Sequence, residues 1–297
     1  MPSLDWIRDF VKAPYETLCL IFGCILIVLS FSTFSYSEHF AIHFTKSPNW
    51  YLFVPGILLL FFTFYKRSIS EYGPSGLRLS KIERGVQVDV SSGQKINVII
   101  GAIQGVVPGT PHAAVVLPAN TCFDDECIYD PRSALGAYFQ RYFPHNIDRI
   151  QSLIQENVKK LKEKGIAQSN GEFTPGTTIF LAKPLDSEHS IIIVGVTKYT
   201  VEGGITADTQ SITASVRAVF KEAAINRISN LFIPVLGTGH GGLDFQIALA
   251  LLIMQGIHCM KKEGFHHVKD LTILVFDPKG NRRKLMERVV KSVAAFS

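Results

Sequence analysis

Four glycines crowd one short segment, residues 236–242, at positions 237, 239, 241 and 242. Because glycine has no Cβ, their backbone N–H groups can face outward, and glycine readily adopts a positive φ. The segment follows the apolar run 231–235 and precedes a predicted helix that opens at Asp244. A loop at the carboxyl end of a strand, beside a helix N-terminus, suits a phosphate or pyrophosphate. It has neither the Lys-Ser/Thr of a P-loop nor the glycine spacing of dinucleotide folds, so a tight strand-to-helix turn is the alternative.

A second loop, residues 118–130, links the predicted strand 113–117 to a helix and contains Asn120. The amide of Asn120 can both donate to and accept from a sugar hydroxyl. The same side chain can equally close an Asx turn. If the sheet is parallel, this loop and the glycine loop meet at its carboxyl edge, where ligands bind in such folds.

Few side chains are placed for catalysis. The candidates are His240, Cys122, Asp124 and Asp125. A general base needs a partner at hydrogen-bond distance, which spacing alone does not supply. We therefore expect a binding protein rather than an enzyme. His39 and His43 have the spacing of a metal pair but no third ligand, and the five cysteines form no disulfide or metal framework, so no metal and no cofactor are expected.

From about residue 81, apolar runs alternate with amphipathic segments. The predicted strands are 86–90, 96–100, 113–117, 177–182, 191–196, 231–235 and 271–276, and the predicted helices are 132–143, 147–161, 208–226, 244–262 and 282–295. For the first of these helices, Asp130 is the predicted N-cap and Pro131 the first helical residue. Alternation of this kind predicts a three-layer α/β/α domain with a mixed, mostly parallel sheet.

Two apolar runs near the N-terminus, 18–34 and 50–65, have no charged residue inside them. A membrane-spanning helix needs about 20 such residues. The first run meets this length because the stretch 15–36 around it has no charge beyond Glu16, whereas the second run is shorter and must include residues of its flanks. A secretory signal peptide would have a shorter core and a small-residue cleavage site, and no second run. The pattern thus predicts a two-helix transmembrane hairpin.

Basic residues flank both runs on the same side: Arg8, Lys12, Lys66, Arg67 and Arg78. The positive-inside rule then places both termini in the cytoplasm. The predicted organisation is a cytoplasmic segment 1–14, a hairpin 15–66, a linker 67–80 and a ligand-binding domain 81–297.

The chain has 30 Lys and Arg against 25 Asp and Glu, a net charge of +5. The positive charge is shared between the hairpin flanks and the last helix, where it forms either a solvated face or a contact with anionic lipid. No stripe of alternating aromatic and basic residues indicates nucleic acid.

The order of elements resembles that of the macro domain, a module that binds ADP-ribose. The resemblance covers about residues 96–290, and its strongest parts are Ile233-Pro-Val-Leu-Gly-Thr-Gly-His-Gly-Gly242 and Val116-Leu-Pro-Ala-Asn120. It implies a pyrophosphate and distal ribose on the glycine loop, with Asn120 contacting that ribose. It also implies adenine near Phe276 and Asp277, and a helix N-terminus aimed at the phosphates. The ligand-binding residues expected on this basis are Ala102, Ile103, Asn120, Thr121, Cys122, Asp124, Asp125, Arg132, Leu236, Gly237, Thr238, Gly239, His240, Gly241, Gly242, Phe276 and Asp277.

A membrane hairpin followed by such a domain resembles the transmembrane-macro effectors of bacterial Thoeris antiphage systems of the second type, and segment 117–136 is similar to theirs. The resemblance implies that a partner TIR enzyme converts NAD into an ADP-ribose-type messenger, similar to histidine-conjugated ADP-ribose. The effector then binds the messenger, oligomerises and disrupts the inner membrane, aborting infection. Asp124, Asp125 and Glu126 would meet a cationic group of the messenger, unless they form a solvated acidic loop. A membrane-bound ADP-ribose hydrolase and a static scaffold are the alternatives.

Overall fold

The computed structural model describes residues 15–36, 40–44, 49, 51–60, 77–91, 93–110, 112–200, 202, 204–262 and 264–296. The chain divides into two compact units, residues 1–72 and 73–297. The predicted segment 1–14 and most of the predicted linker 67–80 lie outside the described residues.

The first unit contains helix α1 (Tyr15–Ser30), strands β1 (Ser32–Tyr36) and β2 (Phe40–Phe44), and helix α2 (residues 51–60). The two strands pair antiparallel. The prediction that the first apolar run is helical to its end is wrong, because the helix stops at Ser30. Its hydroxyl donates to the carbonyl of Ile27 at 2.6 Å, and the aromatic and β-branched residues that follow favour a strand.

Helices α1 and α2 pack closely at two glycines. A Cβ at Gly23 would lie 3.1 Å from the carbonyl oxygen of Gly56, and one at Gly56 would lie 3.0 Å from the carbonyl oxygen of Gly23. Small residues at such a contact let two helix backbones approach each other. In the parts of the chain that the structure describes, no helix is both long enough and apolar enough to cross a membrane.

A nine-stranded sheet forms the centre of the second unit. Its strands are β3 (Arg78–Ile82), β4 (Gly85–Ser91), β5 (Gln94–Ile100), β6 (Ala113–Asn120), β7 (Thr178–Leu181), β8 (Ser190–Tyr199), β9 (Ile205–Thr206), β10 (Asn230–Pro234) and β11 (Asp270–Val275). They lie in the order β3-β4-β5-β11-β10-β6-β8-β7, with β9 on β8. The five strands from β5 to β8 are parallel, and the outer pairs are antiparallel. The predicted mixed sheet is confirmed. Strand β3 pairs with β4 from Arg78 onward, so it includes the last three residues of the predicted linker 67–80.

Helices cover both faces of the sheet, as predicted. They are α3 (Glu126–Tyr129), α4 (Ala134–Tyr142), α5 (Ile147–Glu163), α6 (Thr209–Ile225), α7 (Phe245–Lys261) and α8 (Arg283–Phe296). One apolar core lies between the sheet and α6, α7 and α8, and the other lies between the sheet and α4 and α5. Strand residues that point to one face of the sheet belong to the first core, and those that point to the other face belong to the second. This is the three-layer α/β/α arrangement.

Side-chain caps start the helices that flank the carboxyl edge of the sheet. Asp208 accepts from the amide of Ser211, and Asp244 accepts from the amides of two residues in the first turn of α7. Both starts were predicted. The predicted cap at Asp130 is wrong, because Ser133 takes that role, its Oγ accepting from the amide of Gly136 at 2.8 Å. Asp130 instead accepts from the amide of Arg132 at 2.9 Å, so α4 starts two residues later than predicted.

Candidate functional site

A pocket of about 540 Å³ opens at the carboxyl edge of the parallel strands. It is bounded by the segment after β5, the end of β6, the N-terminus of α4, the end of β8, the glycine loop after β10 and the segment after β11. Its lining residues are Gly101, Ala102, Ile103, Gln104, Pro118, Ala119, Cys127, Pro131, Arg132, Ser133, Ala134, Ala137, Val196, Thr197, Ile205, Pro234, Val235, Gly237, Thr238, Gly239, His240, Gly241, Leu274, Phe276, Pro278 and Arg282. This volume is in the range of small-molecule sites.

The glycine loop presents unpaired backbone donors to this pocket. Within the described residues, the N–H groups of residues 237–241 make no hydrogen bond. The loop is held instead through its carbonyls: Gly237 accepts from Leu243 and Gly241 accepts from Ala207, each at 3.0 Å. Consecutive free amides at a concave loop form an anion-binding surface.

The glycines of the loop have different reasons to lack a side chain. Gly237 has φ +75°, and a Cβ there would lie 3.0 Å from the Cβ of Ala207. A Cβ at Gly241 would lie 2.8 Å from the carbonyl oxygen of Gly237. At Gly239 nothing lies within 4 Å of that position. The first two glycines are therefore needed to fold the loop, whereas Gly239 leaves space for a ligand.

The N-terminal end of α4 forms the opposite wall, with Arg132, Ser133 and Ala134 among the lining residues. The Arg132 side chain donates to Asp130 through Nε at 3.0 Å, and Nε2 of His240 lies 3.6 Å from the same carboxylate. The hydrogen bonds from Arg132, and to a smaller extent the nearby His240, lower the pKa of Asp130. A carboxylate, a guanidinium and an imidazole thus meet at the rim of the pocket, beside the glycine loop.

The predicted Asn120 loop turns its polar groups inward. Asn120 is buried, and its Nδ2 donates to Oδ2 of Asp124 at 2.7 Å. The hydroxyl of Tyr199 donates to the same oxygen at 2.7 Å, and Oδ1 of Asn120 accepts from the amide of Cys122. Burial, followed by this bond to Asp124, raises the pKa of Tyr199. None of Asn120, Cys122 and Asp124 lines the pocket.

The two cysteines of this loop are poor nucleophiles. Burial, followed by the charge of Asp124, raises the pKa of Cys127 to about 11. Burial, followed by the nearby Glu172, also raises the pKa of Cys122. A thiol with a raised pKa stays protonated at neutral pH, and the thiolate is the reactive form.

Phe276 and Asp277, expected near an adenine, take different roles. Phe276 lines the pocket and is 55% exposed. Asp277 instead accepts from the amides of Asn281 and Arg282, each at 3.0 Å, and so fixes the turn before α8. The guanidinium of Arg282 donates to the carbonyl of Phe276 at 2.9 Å and lies 4.9 Å from the ring of Phe245.

The structure brings nine of the seventeen expected ligand-binding residues to the pocket: Ala102, Ile103, Arg132, Gly237, Thr238, Gly239, His240, Gly241 and Phe276. The others lie behind or beside it: Asn120, Thr121, Cys122, Asp124, Asp125, Leu236, Gly242 and Asp277. Sequence reasoning missed Cys127, Thr197 and Arg282, which line the pocket. Two of them had a signal in the sequence, since Cys127 lies in the predicted loop 118–130 and Arg282 begins the predicted helix 282–295.

A family model described as "Thoeris protein ThsA, Macro domain" matches residues 96–276. The chain belongs to this family. Among solved structures, it is similar to the Oceanobacillus iheyensis macrodomain with ADP, at 15% identity and a TM-score of 0.50, covering 74% of this chain and 98% of that one. It is also similar to the Trypanosoma brucei macrodomain in complex with ADP-ribose, at 13% identity and a TM-score of 0.46, covering 66% of this chain and 68% of that one. The first likeness supports the fold of this ThsA macro-domain family member. A comparison with curated proteins gave no match.

Proposed function

We propose that the second unit is a receptor for an ADP-ribose-type nucleotide, whose pyrophosphate binds the free amides of the glycine loop. The observation that carries the proposal is the run of N–H groups at residues 237–241 without an acceptor, facing a pocket of about 540 Å³. A pyrophosphate there would receive several backbone hydrogen bonds and lie across from the N-terminus of α4, whose dipole favours negative charge.

The rest of the pocket suits the two ends of such a ligand. The exposed ring of Phe276 offers a stacking surface for an adenine. On the other side, Asp130, Arg132 and His240 surround the space for the distal ribose and any group attached to it. Asp124 is bonded to Asn120 and Tyr199 away from the pocket, whereas Asp130 lies 3.6 Å from His240 of the glycine loop, so we expect Asp130 rather than Asp124 to meet a cationic substituent.

For the whole chain we propose a membrane effector of antiphage defence. A TIR enzyme would make the messenger from NAD, and binding would favour an oligomer that disrupts the inner membrane. The two apolar runs of the sequence, the basic flanks and the close pairing of α1 and α2 at Gly23 and Gly56 support a bilayer hairpin with both termini in the cytoplasm. A ligand shifts assembly only by its differential affinity for the assembled state.

We propose binding without turnover. The raised pKa values of Cys122 and Cys127 disfavour a thiolate nucleophile. The carboxylate of Asp130, which lies 3.6 Å from His240 of the glycine loop, already accepts two side-chain bonds from Arg132. The alternative, hydrolysis of an ADP-ribose derivative, is favoured by one observation, the pairing of His240 with Asp130 at 3.6 Å on the pocket rim. Such a pair is the arrangement of a general base and its orienting group.

The deciding experiment is calorimetry of the detergent-solubilised full chain with ADP-ribose and with histidine-conjugated ADP-ribose, followed by chromatography of the recovered nucleotide. Tight binding with unchanged nucleotide is the expected result. Recovery of hydrolysed product would support the hydrolase, and no heat with either compound would overturn the receptor.

A further inference from the structure

Helix α7 has an apolar stripe on the side that faces away from the sheet. The helix lies between α6 and α8 and buries its inner face in the core. On its outer face Ile247 is 48% exposed and Met254 is 50% exposed, with the partly buried Leu251 between them. The solvent side of a helix in this position is normally polar.

The outer stripe has the spacing of a helix-pairing seam. Steps of three and four residues connect Asp244, Ile247, Leu251, Met254, His258 and Lys261. This alternation keeps six residues in one line along the helix, as at the a and d positions of paired helices. The stripe is apolar in its middle, acidic at its start and basic at its end.

The stripe of one copy is complementary to the same stripe of a second copy that runs in the opposite direction. If two copies pair antiparallel about the midpoint of Leu251 and Met254, Leu251 of each copy faces Met254 of the other. Ile247 then faces His258, and the carboxylate of Asp244 faces the ammonium of Lys261 at both ends. The antiparallel macrodipoles add to this attraction. A parallel pair would instead place Asp244 against Asp244 and Lys261 against Lys261.

We infer that a second copy of this chain docks on the outer face of α7, antiparallel and with two-fold symmetry. A closed two-fold contact of this kind uses the same patch on both copies. The inference rests on the assembly in the proposed function but not on the identity of the nucleotide. The stripe begins at Asp244, two residues after Gly242, so the docking face starts where the ligand loop ends.

One helix from each copy covers less than the ~800 Å² per partner of a standard stable interface. The pairing is therefore weak in dilute solution. It gains strength when chains share one membrane, because confinement raises their effective concentration.

Cysteine cross-linking tests the geometry directly. Full chains with Ile247→Cys and with His258→Cys carry different tags and are co-expressed. Membranes that contain both are then oxidised at about 0.15 M salt, where interactions between exposed charges are screened beyond about 8 Å. In the antiparallel pair the two cysteines face each other. Two copies of the same variant place their cysteines about 16 Å apart along the helix, at 1.5 Å per residue.

A mixed disulfide formed at least about ten times faster than either self-disulfide is the expected result, with the wild-type chain as background for its native cysteines. Equal cross-linking within each single variant would indicate parallel pairing and overturn the inference. No cross-link above the wild-type background in any combination would overturn it as well.

A second measurement uses the exposed side chain at the centre of the stripe. Met254→Glu places a charge against Leu251 of the second copy and is expected to weaken self-association at least about 10-fold in sedimentation of the full chain in detergent. Ile225→Glu, at an exposed position on α6 outside the stripe, is the matched control and should leave it unchanged. Both variants should still bind the nucleotide. Measuring binding beside self-association therefore distinguishes an error in this interface from an error in the proposed receptor function. Unaltered self-association in Met254→Glu would exclude α7 as the docking face.

Discussion

Two loops meet the carboxyl edge of the sheet, and they use their polar groups in opposite ways. The glycine loop leaves the N–H groups of residues 237–241 without an acceptor, while its carbonyls accept from Leu243 and Ala207. Polar groups of the Asn120 loop are paired, since the Asn120 amide and the hydroxyl of Tyr199 on β8 both donate to Asp124. The glycines of the first loop bring no polar side chain that could pair with its amides, whereas at the second loop a carboxylate, a carboxamide and a phenol lie close enough to bond to one another. The comparison indicates that the first loop is a binding surface and the second is a support.

The strongest test of the binding loop is a carboxylate at its open glycine. Gly239→Asp is expected to reduce ADP-ribose affinity at least about 100-fold, because like charges brought together cost several kcal/mol. Calorimetry measures the effect. Gly239→Ala is the control, since no atom lies within 4 Å of the added Cβ, and it should bind nearly as the wild type does. Retained affinity in Gly239→Asp would place the phosphate site elsewhere.

A methyl group at the closed glycine should damage the loop itself. In Gly241→Ala the new Cβ would lie 2.8 Å from both the Gly237 carbonyl oxygen and the Cβ of Ala207. We expect the free energy of unfolding to fall by about 1–3 kcal/mol, as in other overpacked sites. Urea denaturation measures the free energy of unfolding of Gly241→Ala and of Gly239→Ala, the control that adds the same methyl group two residues earlier. Equal stability of the two variants would contradict the packing described for this loop.

The supporting loop should respond to mutation in stability rather than in binding. Tyr199→Phe removes the bond to Asp124 and is expected to lower the free energy of unfolding by about 0.5–1.5 kcal/mol. Its effect on ADP-ribose affinity should stay within about 2-fold, since Tyr199 does not line the pocket. Tyr129→Phe, which removes an exposed bond to Asp148, is the matched control and should change stability less. A large loss of affinity in Tyr199→Phe would return the Asn120 loop to the binding surface.

The smallest effect concerns Asp130, the last residue of the Asn120 loop, whose carboxylate lies 3.6 Å from His240 of the glycine loop. Arg132→Ala removes the side-chain bonds that lower the pKa of Asp130, so that pKa should rise toward the usual aspartate value of about 3.9. In the wild type, the stability from this pairing is complete above that usual value and is lost as the pH falls through the lower folded pKa. Carboxyl NMR titration measures the pKa of Asp130. The control is Arg141→Ala: Arg141 is exposed in the last turn of α4, and its removal should leave the pKa of Asp130 unchanged. An unchanged titration in Arg132→Ala would show that the bonds from Arg132 do not lower this pKa.

Local sequence signals predicted much of the second unit. Asp208 and Asp244 marked two helix starts correctly, because a carboxylate before an apolar-periodic segment caps the first turn without help from the rest of the fold. The same reasoning failed at Asp130, since Ser133 was also available as a cap and Arg132 competed for the carboxylate. The strand Ser32–Tyr36 was missed because it directly follows the apolar residues of α1 and has no charge of its own, and the absence of charge does not separate a strand from a membrane helix.

What the sequence determined by itself is the order of strands and helices and the glycine-rich loop, since both depend on hydrophobic periodicity and on residues that lack a side chain. Only the tertiary structure decided which polar groups remain available. The amide of Asn120, for example, lies 3.3 Å from the hydroxyl of Tyr199, which is 79 residues away in the chain. Arg282 and Cys127 line the pocket because α8 and the β6–α4 connection converge on it. A side chain's partners are set by distances in space, and residue spacing along the chain does not contain them.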